Sequence, residues 1–429
     1  MAAVIPLCPG FLTIFLLCVA AQQADGSVSV GASLTATSNA KPWLSRSGEF
    51  AFGFQQLQGN NIFLLSIWYD EIPDKTIIWY PKDGPMVPRG SKVALIDGRG
   101  LVLTDPQGRE VWTSVSSSDY IAYGLMNDTG NFVLVGRDSS TIIWDSFGNP
   151  ADTMLPTQIL AKGEKINSKT SRTNFSTGRF QLRLLEKGNL VLNTIDRFSG
   201  EASSDPYYDS QTDDDSNSTN SGEKVVFDET GYLYILKRNG QRFDLTPKYA
   251  VPSGEYYHRA TLDSDGVFTQ YYYPKNPKRN TSWEVVWLVP TNICQTGKGC
   301  GLNNVCTLDG NRPKCECPQG FSLLEPSYPN GDCDPDFVPS CDAGYVEEQF
   351  DLTELNNIDW PGSDYASIYP SNVESCKISC LKDCFCAVAI YRDSQCWKKQ
   401  LPLSNGRKDP SKLVKAFLKF RKRDHRPEY

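Results

Sequence analysis

The sequence repeats one phrase in its first half: GLVL at residues 100–103, GNFVL at residues 130–134 and GNLVL at residues 188–192. Weaker copies are GYLY at residues 231–234 and DGVF at residues 265–268. Each copy starts with a turn residue and continues with alternating apolar side chains, which is typical of a tight turn leading into a half-buried strand. Repetition of such small units predicts a mainly β architecture built from similar hairpins.

The composition agrees with a folded chain of several sheet-rich domains. The chain has 429 residues, which suggests about three domains, and 40% of the residues are hydrophobic while 22% are charged. Its 33 glycines, 20 tyrosines, 20 phenylalanines and 9 tryptophans favour sheets and turns over helices. A net charge of −7 argues against nucleic-acid binding. The only two histidines, His258 and His425, argue against a histidine-based triad or zinc site.

The N-terminus has the pattern of a secretory signal peptide. The apolar run FLTIFLLCVA at residues 11–20 is too short to span a bilayer, and small residues follow it. We expect cleavage near Ala21, although the segment before the apolar run has no Lys or Arg. A buried N-terminal helix is the alternative interpretation.

The cysteines divide the chain into two parts that are stabilised differently. Cys8 and Cys18 would leave with the signal peptide, and the other twelve all lie between Cys294 and Cys396. An even number of clustered cysteines in a secreted chain predicts disulfides, which persist only in an oxidising compartment. Zinc is the less favoured alternative, because the Cys-x-Cys pairs at 315/317 and 384/386 lack the spacing of zinc knuckles. Secretion also agrees with four glycosylation sequons, at Asn127, Asn174, Asn217 and Asn280.

Three further segments carry local predictions. Residues 67–69 and 77–80 read as two strands of one hairpin, with Trp68 and Trp79 as core anchors. Residues 372–381 read as a helix, with Cys376 and Cys380 on one face. Residues 199–224 are rich in Asp, Ser and Asn, which predicts a long mobile loop carrying Asn217.

The stretch WDSFGNPADTMLPTQ at residues 144–158 resembles the W-x-S-F-x-x-P-x-D-T-x-L-P-x-Q phrase of the plant bulb-type (G-type) lectin S-receptor-like kinases. The resemblance extends over residues 27–415. The cysteine spacing from Cys294 to Cys333 is similar to that of the family's EGF-like module, and the spacing from Cys341 to Cys396 is similar to that of its PAN/apple module. The wording of this last region is nearest to the subgroup without a self-incompatibility role.

The resemblance implies a domain order and a fold class. The expected fold is mainly β, with tandem bulb-lectin-like β-prism domains followed by an EGF-like module and a PAN/apple (α+β) module. The expected segments are a signal peptide (1–21), a bulb-type lectin domain (22–153), a second bulb-lectin-like or S-locus glycoprotein-like domain (154–290), the EGF-like module (291–334), the PAN/apple module (341–420) and a basic tail (421–429). The region from Arg407 onward is rich in Lys and Arg. We interpret it as a solvated tail rather than a polyanion or membrane contact.

Spacing alone permits many pairings of twelve cysteines. The resemblance implies six disulfides: Cys294–Cys306, Cys300–Cys315, Cys317–Cys333, Cys341–Cys384, Cys376–Cys396 and Cys380–Cys386. The EGF-like segment lacks the acidic cluster that calcium requires, so we expect no metal and no cofactor.

The resemblance also identifies candidate sugar-binding residues. Bulb lectins hold mannose with a Q-x-D-x-N-x-V-x-Y strand, and the matching positions are Asn127, Asn131 and Val133 in one copy and Asn189 and Val191 in another. No copy keeps the Asp or the Tyr, and each lost partner of a sugar hydroxyl weakens binding by about 1–3 kcal/mol. We therefore predict a degraded mannose site, in which Asn131 and Asn189 are turn residues.

These features favour a recognition module over an enzyme. The sequence lacks the kinase motifs and has no run of 18 apolar residues. We predict a secreted or receptor-derived ectodomain, extracellular or at the cell surface, that acts in plant defence or cell-surface signalling. It would bind an extracellular ligand (glycan, lipid or peptide) or a related receptor ectodomain, with homo- or heterodimers as a possible form. The alternatives are a functional carbohydrate-binding lectin, a fragment of a transmembrane receptor serine/threonine kinase, and a secreted hydrolase.

Overall fold

The structure is a computed structural model, and it describes residues 25–57, 61–114, 120–196, 199–247, 251–337, 341 and 347–422. The predicted signal peptide (1–21) and most of the predicted basic tail (423–429) lie outside the described residues. Strands dominate the described residues, and their helices are short. The mainly β fold that the repeats predict is therefore confirmed.

The first part of the chain forms three antiparallel sheets around one apolar core, and we call this part the first prism (residues 27–145). Its strands are β1 (Ser27–Ser29), β2 (Ser33–Thr35), β3 (Trp43–Leu44), β4 (Phe50–Gln56), β5 (Ile62–Tyr69), β6 (Ile77–Trp79), β7 (Met86–Pro88), β8 (Lys92–Ile96), β9 (Gly100–Thr104), β10 (Glu110–Thr113), β11 (Ile121–Met126), β12 (Phe132–Gly136) and β13 (Ile142–Asp145). The sheet orders are β3-β4-β5-β6 with β7 on β5, β10-β9-β8-β2, and β1-β11-β12-β13.

Alternate residues of the repeated phrase face this core. Leu101 and Leu103 of β9, and Phe132 and Leu134 of β12, are fully buried there. Successive side chains of a strand point to opposite faces, so the period of two in the phrase places every second residue inside. The interpretation of these copies as turns leading into strands is confirmed, but the strands are buried on both faces rather than half-buried, since Val102, Val133 and Val191 between the inward residues are also buried.

The next part repeats the arrangement, and we call it the second prism (residues 153–289). Its strands are β14 (Thr153–Met154), β15 (Ile159–Ala161), β16 (Lys165–Lys169), β17 (Thr177–Leu184), β18 (Leu190–Thr194), β19 (Tyr208–Asp209), β20 (Gly222–Phe227), β21 (Leu233–Lys237), β22 (Arg242–Asp244), β23 (Tyr256–Leu262), β24 (Phe268–Pro274) and β25 (Glu284–Val289). Its sheets are β14-β23-β24-β25, β15-β20-β21-β22 and β16-β17-β18-β19. The expected domain boundary between residues 153 and 154 falls inside β14.

Aromatic side chains join the two prisms. Tyr257 of β23 and Tyr273 of β24 belong to the core of the first prism rather than to their own. The ring of Tyr69 on β5 lies 5.0 Å from that of Tyr257, and the Tyr69 hydroxyl donates to the main-chain oxygen of His258 at 2.7 Å. The sheet that contains β23 and β24 therefore packs against the first prism as well as against its own core.

The predicted tryptophan hairpin exists, but its two tryptophans differ in role. Strands β5 and β6 pair with Ile67 opposite Trp79, and Trp79 lies in the core. Trp68 is buried outside that core, and its Nε1 donates to Asp70 Oδ1 at 2.8 Å. Trp68 is therefore buried as predicted, but on the face of β5 opposite to Ile67 and outside the central cluster.

The segment 199–224, expected to be a long mobile loop, is held by specific contacts. It contains β19, a short 3-10 helix (Ser218–Asn220) and the start of β20. Tyr207 is buried, and its hydroxyl donates to the main-chain oxygen of Gly266 at 2.7 Å. Asp214 Oδ1 accepts from the main-chain N–H groups of Ser216 (3.0 Å) and Asn217 (2.9 Å). The same polar residues that indicated a loop thus stabilise an ordered turn.

Among its described residues, the cysteine-containing part adds two short α-helices, a 3-10 helix (Glu347–Gln349) and eleven strands. They are α1 (Ile293–Thr296), β26 (Val305–Asp309), β27 (Arg312–Glu316), β28 (Phe321–Leu323), β29 (Cys333–Pro335), β30 (Phe350–Asn356), β31 (Ile358–Asp359), β32 (Asp364–Ile368), α2 (Val373–Leu381), β33 (Val388–Arg392), β34 (Gln395–Lys399), β35 (Arg407–Lys408) and β36 (Lys415–Arg421). The largest sheet has the order β30-β36-β33-β34-β32, and α2 packs on it. The helix predicted at residues 372–381 is confirmed, and Asn372 caps it by accepting from the Ser375 N–H at 2.8 Å.

One apolar core serves both halves of this part. Val305 and Phe321 come from its beginning, while Trp360, Val388 and Leu418 come from its end. Strands β26 and β35 also pair across the two halves. Residues 294–337 and 347–422 are therefore packed together as one body.

The basic region from Arg407 onward is built into this body. Strand β36 lies between β30 and β33, and Lys415 pairs with Asn356 and Tyr391. Arg421, expected to begin the tail, pairs with Phe350. The expectation of a solvated tail is wrong for residues 407–421, because alternate apolar side chains such as Ala416 and Leu418 bury this strand.

Candidate functional site

The predicted sugar-binding valines lie on inner strands of their sheets. Val133 on β12 is paired with Leu125 and Asp145, and Val191 on β18 is paired with Arg183 and Asp209. Both valines point away from the apolar cores, yet they are only 5% and 1% exposed. Little of either side chain is left to pack on a sugar ring.

The side-chain oxygen of Asn131 is already used by the protein. It accepts from Ser146 Oγ at 2.9 Å and from the Phe147 N–H at 3.1 Å. Ser146 Oγ in turn accepts from the Phe132 N–H at 2.9 Å. Asn131 therefore ties the start of β12 to the chain that follows β13.

Asn189 makes the equivalent contacts in the second prism. Its Oδ1 accepts from Ser210 Oγ at 2.9 Å and from the Thr212 N–H at 3.3 Å. Its Nδ2 donates to Asp209 Oδ1 at 2.7 Å, and the Leu190 N–H donates to Ser210 Oγ at 2.9 Å. The side chain is only 5% exposed, so both of its polar atoms are used inside the protein.

In two other copies of the repeated phrase, a side-chain hydroxyl again accepts a hydrogen bond from a main-chain N–H at the start of the strand. The Leu101 N–H donates to Ser114 Oγ at 2.9 Å, and the Leu233 N–H donates to Thr246 Oγ1 at 2.8 Å. Across the four copies the hydroxyl follows the amide by 13, 14, 20 and 13 residues. Sequence reasoning missed these hydroxyls, although a Ser or Thr after the next strand was the available signal.

Asn127 and the other sequon residues lie at or near the surface. Asn127 begins the turn before β12, where its main-chain N–H donates to the main-chain oxygen of Asn131 at 2.9 Å. Asn217 and Asn280 are exposed, whereas Asn127 and Asn174 are half-buried. Asn217 Oδ1 accepts from Thr219 Oγ1 at 2.7 Å, and Asn174 Oδ1 accepts from Ser176 Oγ at 2.7 Å. In these two sequons the Asn side chain thus contacts the hydroxyl of its own triplet.

A polar cleft of about 740 Å³ lies where the two prisms meet the cysteine-containing part. The turn between β5 and β6, strands β23 and β24 and the β26–β27 hairpin all contribute to its walls. Arg259 of β23 lies over the rings of Tyr271 (4.1 Å) and Trp283 (4.8 Å). Its Nη1 donates to Thr261 Oγ1 at 2.6 Å, while its buried Nε has no hydrogen-bond partner.

Arg312 of β27 connects the hairpin to the second prism across this cleft. Its Nη1 lies 3.0 Å from Asp263 Oδ2 and 3.2 Å from Asp265 Oδ1, and its Nη2 donates to Thr269 Oγ1 at 2.8 Å. Burial raises the pKa of Asp265, Arg312 opposes this change, and the charge of Asp263 adds to it. Arg312 therefore contacts two carboxylates with a single positive charge.

All twelve cysteines of the C-terminal part are oxidised in the structure. The bonds are Cys294–Cys306, Cys300–Cys315, Cys317–Cys333, Cys341–Cys384, Cys376–Cys396 and Cys380–Cys386. These pairs coincide with those that the resemblance implies. No group of three or more metal-ligating side chains occurs in the described ranges, and none of the helices in those ranges is long and apolar enough to cross a membrane.

The described residues form a mainly β fold with two prisms that repeat one arrangement of sheets, and two family models match parts of the chain. The D-mannose binding lectin family matches residues 76–176, and the S-locus glycoprotein domain family matches residues 223–325. Among solved structures, the Japanese Marasmius oreades lectin is similar at 18% identity and a TM-score of 0.22, covering 33% of this chain and 92% of that chain.

Full-length relatives narrow the class to one family. The chain is 40% identical over 423 residues to the G-type lectin S-receptor-like serine/threonine-protein kinase LECRK3 of Oryza sativa subsp. indica, covering 92% of this chain and 51% of the relative. It is 39% identical over 429 residues to the kinase of the same type RLK1 of Arabidopsis thaliana, covering 93% and 50%. The chain belongs to the plant G-type lectin S-receptor-like kinase family. It spans about half the length of the curated relatives that it matches.

Proposed function

We propose that the chain is a non-catalytic recognition ectodomain of this family whose mannose site is degraded. The observation that carries the proposal is the use of the Asn131 and Asn189 side-chain oxygens by the protein's own amides and hydroxyls. A sugar hydroxyl would have to displace those bonds, and each buried donor left unpaired would cost about 1–3 kcal/mol. In the copy around Asn131, Thr129 stands where the mannose-binding strand has Asp, and Val135 stands where it has Tyr. Neither residue offers a carboxylate or a phenol.

The proposed setting is extracellular or at the cell surface, in plant defence or cell-surface signalling. It is supported by the twelve oxidised cysteines and by relatives whose names describe receptor-like kinases. Within this proposal, residues 291–334 act as an EGF-like module and residues 341–420 as a PAN/apple module. The binding partner is an extracellular glycan, lipid or peptide, or a related receptor ectodomain.

Titration calorimetry with mannose and with a mannose-terminated oligosaccharide tests the degraded site. We expect no heat of binding at micromolar sugar, because several polar partners are missing at each strand. Micromolar affinity that is lost on changing Val133 or Val191 to Asp would contradict the proposal. That result would favour the second candidate, a functional carbohydrate-binding lectin.

A further inference from the structure

We propose that the cleft between the two prisms and the β26–β27 hairpin binds an oligosaccharide that carries a carboxylate, such as a uronic-acid unit. This inference deepens the proposed function, because it assumes that the chain recognises an extracellular ligand. The cleft volume of about 740 Å³ lies within the range of ordinary ligand pockets, roughly 300–1,000 Å³.

Two guanidinium groups of the cleft form no ion pair with a carboxylate of the described residues. Arg312 is compensated by Asp263 and Asp265, Lys169 Nζ lies 3.8 Å from Asp152 Oδ2, and Lys75 Nζ lies 2.9 Å from Asp70 Oδ1. Arg172 and Arg259 also line the cleft. Neither guanidinium forms an ion pair with a carboxylate in the described parts of the chain. A single carboxylate that enters the cleft therefore finds two guanidinium groups that are not already held in an ion pair.

Arg259 is held in place before any ligand arrives. Its guanidinium lies over two aromatic rings, and its bond to Thr261 fixes one edge of the plane. Thr261 is itself held by Thr153, with 2.9 Å between the two hydroxyl oxygens. A fixed guanidinium loses little entropy on binding, and its planar fork matches a carboxylate better than it matches a hydroxyl.

The acidic side chains of the cleft argue for a sugar rather than a polyanion. Asp74, Asp152, Asp263 and Asp265 all line it, so a phosphate or a multiply charged ligand would be repelled. Carboxylates accept hydrogen bonds from hydroxyls, and the threonine hydroxyls and Tyr271 can serve as further partners. A ligand with one carboxylate and many hydroxyls therefore suits both the guanidinium groups and the acidic and hydroxyl side chains of the cleft.

Isothermal titration of the full chain with an aldotriouronic acid, a trisaccharide that carries a single uronic-acid carboxylate, and with its methyl ester as a matched neutral ligand, tests the inference. We expect the acid to bind and the ester to bind at least about tenfold more weakly, because the ester cannot form the charge-assisted bond. Higher salt should lower the affinity for the acid and leave the affinity for the ester unchanged. Absence of acid binding, or equal affinity for acid and ester, would overturn the inference.

Variants locate the site. Arg259→Gln and Arg172→Gln should each weaken acid binding by about fivefold or more. Arg172 is exposed, so its variant tests the site even where the packing of Arg259 matters for folding. Arg242→Gln is the matched control, because Arg242 lies 4.0 Å over the Tyr234 ring and does not line the cleft. Acid affinity that survives both cleft substitutions would place binding elsewhere and overturn the inference.

The same titrations separate this inference from the proposed function. Mannose binding at micromolar affinity contradicts the degraded site and leaves the titration with the singly charged trisaccharide as an independent measurement. Failure of that trisaccharide to bind overturns the cleft inference, while absence of mannose binding still supports the degraded site.

Discussion

Asn131 and Asn189 connect strand starts to distant hydroxyls, so their side chains serve the fold. Changing either residue to Ala leaves a buried hydroxyl and a backbone N–H without their acceptor. We expect each variant to lower the free energy of unfolding by about 1–3 kcal/mol, measured by urea denaturation. Asn276→Ala, at an exposed position, is the control and should change stability little. Unchanged stability in Asn131→Ala and Asn189→Ala would instead agree with a role in binding.

His258 is a residue-scale source of acid sensitivity. It is 1% exposed, and burial lowers its pKa to about 4, although a main-chain contact with Val251 opposes this change. In the unfolded chain the imidazole takes up a proton near pH 6.5. The unfolded state therefore binds the proton first, and stability should fall as the pH is lowered from about 6.5 to 4, by up to about 3 kcal/mol.

Urea unfolding at several pH values checks this prediction, with His258→Gln as the comparison. Carboxylates titrate in both proteins, so the informative quantity is the difference between the two slopes. Between pH 6.5 and 4, the free energy of unfolding of the wild type should fall more steeply with decreasing pH than that of the variant. The difference should correspond to about one additional proton bound by the unfolded state. Parallel curves would mean that His258 does not carry the effect.

At the scale of elements, the β20 strand passes close to the turn before β18. A Cβ on Gly222 would overlap the main-chain oxygen of Gly188 and would lie 2.8 Å from Ile235 Cγ2. Gly222→Ala should therefore separate the two elements and lower stability by roughly 1–3 kcal/mol in urea or thermal unfolding. Gly254→Ala is the matched control, because a Cβ there meets nothing within 4 Å. Equal effects of the two substitutions would show that the close approach is not the cause.

At the scale of the whole molecule, reduction of the disulfides should destabilise the cysteine-containing part before it destabilises the two prisms. The prisms contain no cysteine bonds and have their own apolar cores, whereas six disulfides hold residues 294–396. We expect the untreated protein to have no free thiols and dithiothreitol to unfold the C-terminal part first, since each bridge contributes about 2–4 kcal/mol.

Hydrogen exchange followed by mass spectrometry checks this order. Peptides from β4, β12, β18 and β23 should stay protected after reduction, while peptides from α2 and β33 should exchange. Simultaneous loss of protection in all of them would mean that the prisms depend on the disulfide-bonded body.

The sequence by itself determined the features that depend on neighbouring residues. The period of two in the repeated phrase, the turn glycines before it and the Asn372 cap act over a few positions, so the β class, the strands after residues 100, 130 and 188 and the helix at 372–381 could be predicted. The composition of residues 199–224 was misleading, because Asp and Ser side chains stabilise ordered turns as readily as they solvate loops.

Only the tertiary structure decided what depends on residues far apart in the chain. The hydroxyls that cap the strand starts lie 13 to 20 residues away, and the outward position of Trp68 follows from the burial of Ile67. The cleft joins residues from Asp74 to Asn330, and β36 becomes a central strand through partners more than 20 residues away. Contacts of this kind are set by how sheets pack on one another, and no local pattern of side chains contains that information.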